Sequence, residues 1–155
     1  MLTQIEAIRE NRAVLLEQLK ELTTGQLNLT AIGFNNNIIW NLGHMIVVQQ
    51  GICYRRAGLP MSIGDDLWHR FKSGSAPRGI IYEEEIASIK QLLIVTLDQL
   101  ESDYKKQIFH DYTSWVTRSG MEVASIDDAI KFLRFHDGLH LGVIRSFGFI
   151  KIIEP

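Results

Sequence analysis

Apolar residues recur at helical spacing in four stretches of the 155-residue chain. In the first, Leu2 to about Leu22, positions Leu2, Ile5, Ile8, Leu15, Leu19 and Leu22 share one face. Glu6, Arg9, Glu10, Glu17, Lys20 and Glu21 lie mostly away from it, and Thr23, Thr24 and Gly25 stop the helix. Arg12 falls where the seam expects an apolar residue, so its stem snorkels to the helix edge or its guanidinium looks into a polar cavity; snorkelling is the expectation. A second helix takes its cap from Asn35 to Asn37, runs through Ile38 to Val48 as far as about Arg56, and is ended by Gly58 and Pro60. The third spans Tyr82 to Glu101 on a stripe of Ile86, Ile89, Leu93, Leu97 and Leu100. The fourth opens on a capping box, Ser125-Ile-Asp-Asp128, and continues through Phe132 to Phe147.

The intervening stretches read differently. Asn28 to Phe34 is a connection, and residues 58 to 80 form a long loop with a helical turn around Asp66 to Phe71. A loop of that length in a compact domain often covers something. From Asp103 to Ala124 the chain is irregular, with Ser114-Trp-Val-Thr and Met121-Glu-Val able to pair across Arg118-Ser-Gly as a short hairpin. Four long amphipathic helices with extended connections predict an all-α fold, an antiparallel four-helix bundle forming a single domain over residues 1–155.

Composition narrows the partners. A chain of this length hides roughly 70% of its extended surface on folding, enough for one core without disulfides. With 16 basic against 18 acidic side chains and a net charge of −2, no nucleic-acid-binding stripe or polybasic membrane anchor stands out. The opening Met-Leu-Thr-Gln-Ile-Glu does not read as a signal peptide and no 18-residue apolar run occurs, so a cytoplasmic protein without membrane contact is expected. The single cysteine, Cys53, has no internal disulfide partner, which fits a reducing compartment.

Candidate chemistry lies on the second and fourth helices. His136 and His140 stand four residues apart, so their rings stack along one face, the one that carries Phe132, Leu133, Val143 and Phe147. A buried ring nitrogen needs a partner. The pair alone is balanced between histidines satisfied by carbonyls or polar side chains and a metal-binding HxxxH, and a third ligand decides it. His44 shares its face with Trp40, Val47 and Val48, while Asn41 lies about 60° round and Asn37 almost below it. If the two helices face each other, His44, His136 and His140 offer three neutral imidazoles to one divalent ion. Cys53, about 180° from His44 on a regular helix, reads as a small core residue. His69 and His110 lie in polar segments and read as solvated.

Two segments carry a family resemblance: Gly33-Phe-Asn-Asn-Asn-Ile-Ile-Trp-Asn-Leu-Gly-His44, and Ala129-Ile-Lys-Phe-Leu-Arg-Phe-His136-Asp-Gly-Leu-His140-Leu-Gly-Val-Ile144. They resemble the DinB-like superfamily of metalloenzymes, which includes YfiT-like proteins. The resemblance implies a four-helix bundle in which His44, His136 and His140 bind a divalent metal, zinc or nickel first and iron or manganese after them. The family often has a further histidine where this chain has Leu139, and iron-binding sulfoxide-synthase domains carry a glutamate where it has Gly142.

Three ligands leave a coordination position open, which on such an ion activates water or a thiol. By resemblance to thiol S-transferases of the superfamily, the expected function is metal-dependent addition of a low-molecular-weight thiol to a small electrophile. Asn37, Asn41 or Asp137 would orient ligands or substrate, and the 58–80 loop would close over the pocket; a solvated surface role for Asp137 is weighed equally. No catalytic side chain is assigned. The competing reading is a non-catalytic module in which the ion locks helices together or signals metal status. Expected partners are a small-molecule substrate and a second copy of the chain in a homodimer.

Overall fold

The structure is a computed structural model that describes the backbone of residues 1–152 and side chains through Phe147. It is 64% helical, with six α-helices and one small two-stranded sheet among the described residues. The helices are α1 (Leu2–Gln18), α2 (Thr24–Asn28), α3 (Ile38–Gln49), α4 (Asp65–Phe71), α5 (Glu83–Lys105) and α6 (Ile126–Ile152). Of these, α1 packs on α5 and α6, and α3 packs on the same two helices.

Local sequence explains most element boundaries. Asn37 caps α3, its Oδ1 accepting from the Trp40 amide at 2.9 Å. Ser125 caps α6 through the Asp128 amide, and the Asp128 carboxylate in turn accepts from the Ser125 hydroxyl at 2.8 Å. The hairpin forms from β1 (Trp115–Val116) and β2 (Glu122–Val123), in the register Trp115 to Val123, with Gly120 at φ 84° in the turn.

Four elements depart from expectation. α1 ends at Gln18, and a short α2 follows where only a connection was expected. Its origin is local: Thr23 Oγ1 accepts from the Gln26 amide while Gln26 Oε1 accepts from the Thr23 amide, a reciprocal box that nucleates a turn. The third long helix, α5, runs on to Lys105. The second is α-helical only to Gln49. It then loosens into a π-helical turn, Gln50–Tyr54, and tightens into a 3₁₀ turn, Arg55–Ala57, before Gly58 closes it with φ 68°.

The core has two apolar clusters. One joins Leu15, Leu42, Met45, Ile46, Phe71, Leu93 and Ile144; the other joins Ile5, Ile8, Cys53, Leu97, Leu100, Ile130 and Leu133. A polar layer contributed by all four long helices separates them along the chain. Arg12 of α1 donates to Asp137 of α6 at 2.7 Å, to Gln49 of α3 at 2.7 Å and to the Leu93 carbonyl of α5 at 2.9 Å. Gln49 extends the network to the Thr96 carbonyl at 2.8 Å. The expected snorkelling of Arg12 is therefore overturned: its side chain is 0% exposed, with Nε and Nη1 taken by buried acceptors on three other helices and Nη2 left without a partner among the described residues. Asp137, 1% exposed, is likewise not a surface residue.

Candidate metal centre

The Asn37 cap fixes the start of α3 and so the phase of the helix, which turns Asn41 and His44 toward α6. On α6, the four-residue spacing stacks His136 and His140, their ring centroids 4.5 Å apart. One nitrogen from each of the three imidazoles lies within 4.8 Å of the others, so the sequence-identified histidines do come together. His44 is 6% exposed, whereas His136 and His140 are half-buried.

Neighbours fix which nitrogen two of the rings present. His44 Nδ1 donates to the Phe71 carbonyl at 2.6 Å, leaving Nε2 as its free lone pair, and Trp40 stacks on the ring at 4.6 Å. His140 Nδ1 donates to Asn41 Oδ1 at 2.7 Å. Asn41 cannot present its amide nitrogen there, since that group donates to the Asn37 carbonyl at 2.7 Å. His140 Nε2 therefore carries a lone pair, 3.2 Å from His136 Nε2. These are the outer hydrogen bonds that set tautomer and ring direction in metal sites.

The donor set fits a divalent ion. A metal about 2.1 Å from each of two imidazole nitrogens in tetrahedral geometry separates them by about 3.4 Å, close to the His136–His140 spacing. His136 Nδ1 is buried with no hydrogen-bond partner among the described residues, and the ring's one polar contact is made through Nε2. Burial, reinforced by the neighbouring rings, pushes His136 down to about 2 and His140 to about 4, and burial lowers His44 too. The imidazoles are therefore neutral at physiological pH, the form a metal requires.

Other candidates stand elsewhere. Asn37 caps α3 and holds Asn41, and so reaches the site only at one remove. Asp137 points into the Arg12 layer; burial raises its pKa and the guanidinium opposes the rise. Cys53 is packed in the second apolar cluster, its thiol pushed up to about 12 by burial. His69 and His110 are exposed. The 58–80 loop supplies the Phe71 carbonyl through α4, a contribution no side-chain motif announces.

A family model of the DinB superfamily matches residues 7–144. The chain belongs to the DinB superfamily. Among curated proteins no match was found. Membership in the DinB superfamily and the three-histidine group are together compatible with metal binding. No helix among the described residues is long and apolar enough to cross a membrane.

Proposed function

We propose that this DinB-superfamily chain is a metal-dependent enzyme that joins a low-molecular-weight thiol to a small electrophile, with His44, His136 and His140 as ligands. The carrying observation is the half-buried three-nitrogen group, which no carboxylate or thiol side chain joins among the described residues. Three protein ligands suit an exchangeable position better than a closed structural site, which takes four. All-imidazole donors favour zinc or nickel over manganese. Architecturally, the reading is a single-domain antiparallel four-helix bundle, supported by the pairwise packing of α1, α3, α5 and α6.

When bound, a divalent ion supplies Lewis acidity that favours thiolate over thiol near neutral pH. The chain's own groups prepare the site for it. The Phe71 carbonyl and Asn41 Oδ1 hold two rings in the tautomer whose Nε2 is free, and the Trp40 indole covers one face of His44 against water. In the reaction the S–H proton passes to solvent, sulfur supplies the pair for the new S–C bond, and a leaving group departs with its own pair.

The test is a cobalt-substituted protein titrated with several thiols, followed by conjugation rates on a panel of electrophiles. Absorption bands that shift with thiol, and a rate abolished by His140→Ala without loss of helical circular dichroism, are expected. An unchanged spectrum and no rate above background would favour the structural or metal-sensing module.

A further inference from the structure

Beside the histidines lies a cleft of about 540 Å³, within the size range of small-molecule sites. None of the three histidines lines it, but residues close to theirs in the chain, and one linked to His136 through Phe132, do. Val47 and Val48 follow His44 by one helical turn, and Lys72 follows Phe71, whose carbonyl holds His44. Trp115 stands edge-on to Phe132 at 5.4 Å, and Phe132 is 5.9 Å from the His136 ring.

The charge on this cleft is one-sided. Arg55, Arg56 and Lys72 line it and no Asp or Glu does. Among the described residues none of the three takes part in an ion pair, whereas Arg9, Arg12 and Arg70 all do. Like charges gathered on one concavity repel one another and focus a positive field into it. The guanidiniums are also held in place: Arg55 lies over the Trp68 ring at 5.0 Å, and Arg56 over Trp115 at 5.4 Å. Stacking on an indole fixes a guanidinium by its face and leaves its N–H edge free for an anion. The remaining lining is mostly indole and aliphatic surface, with the hydroxyl residues Ser73 and Thr113 among it.

We propose that this cleft binds an organic anion with a flat apolar body, its carboxylate, sulfonate or phosphate held by Arg55, Arg56 and Lys72 and its body lying against Trp68 and Trp115. This rests on the thiol-transfer reading for the role of the bound molecule, an anionic electrophile presented beside the ion, while binding itself needs no metal.

The test is calorimetric titration of the full chain, metal-free and zinc-loaded, with naphthalene-1-sulfonate, with its neutral isostere naphthalene-1-methanol and with inorganic sulfate. The sulfonate binds one per chain, at least about tenfold more tightly than either control, and more weakly as salt is raised. The double variant Arg55→Gln, Arg56→Gln and the single Lys72→Gln each weaken it by about tenfold, whereas Arg118→Gln on the hairpin turn does not. Equal affinity for sulfonate and alcohol, or unchanged affinity in the cation variants, overturns the anion site and leaves the thiol chemistry untouched. A protein that binds the sulfonate selectively but never conjugates thiols upholds the anion site and overturns the transfer reading instead.

Discussion

Asn41 governs His140 through one hydrogen bond, and its own amide is held by the cap residue Asn37. Asn41→Ala should weaken zinc binding about 10- to 100-fold in a chelator competition without loss of helical circular dichroism. Arg12 presents the opposite case, a residue whose removal leaves a buried carboxylate without its cation. Arg12→Met should destabilise the metal-free protein by about 3–5 kcal/mol in urea unfolding, and adding Asp137→Leu should recover much of that loss. The sequence exposed the three histidines because each sits on a long regular helix whose phase is readable. It exposed Arg12 only as an anomaly, since its acceptors lie on three other helices and their convergence is a tertiary fact. The Phe71 carbonyl that orients His44 was not legible at all, because a backbone acceptor has no residue type.

At the scale of elements, α4 is seated on α3 by glycine. A Cβ on Gly43 would come within 2.5 Å of the Phe71 ring, and one on Gly51 within 3.0 Å of Trp68. Gly43→Ala must therefore push α4 away and with it the carbonyl that holds His44. The expected result is a loss of about 1–3 kcal/mol in thermal or urea unfolding together with weaker metal binding. The long apolar stripes identified α1, α3, α5 and α6, and turn chemistry identified the hairpin. The short α2 escaped because Thr23-x-x-Gln26, which overlaps the stop signal Thr23-Thr-Gly25, carries no apolar period. The π-helical turn escaped because the sequence through it continues to look α-helical.

For the molecule as a whole, the two apolar clusters and the Arg12 layer exist independently of any ion. Chelation should leave helical circular dichroism intact and lower only the melting temperature, as expected when a ligand bound to the folded state alone is withdrawn. Cys53 reports on the same global transition. Burial lifts its thiol from 9.0 to about 12, so the folded state keeps a proton that the unfolded state loses. Its contribution to stability is complete below pH 9 and is lost as pH rises from about 9 toward 12. Alkylation of native protein at pH 8 should accordingly be slow and follow global unfolding. One further consequence comes from the loosened turn at Gln50–Tyr54. The residues of this segment that face the cleft, Val47, Val48, Gly51, Ile52, Arg55 and Arg56, repeat every four positions, a period that a regular α-helix would carry round by about 40° at each step. The π turn winds more slowly and holds the stripe on one side. Such a turn has the form of a single inserted residue lying downstream of His44, so gain or loss of one amino acid there would rotate the arginines while leaving the imidazole in place. The lining of the cleft and the placement of His44 can thus diverge separately within one helix.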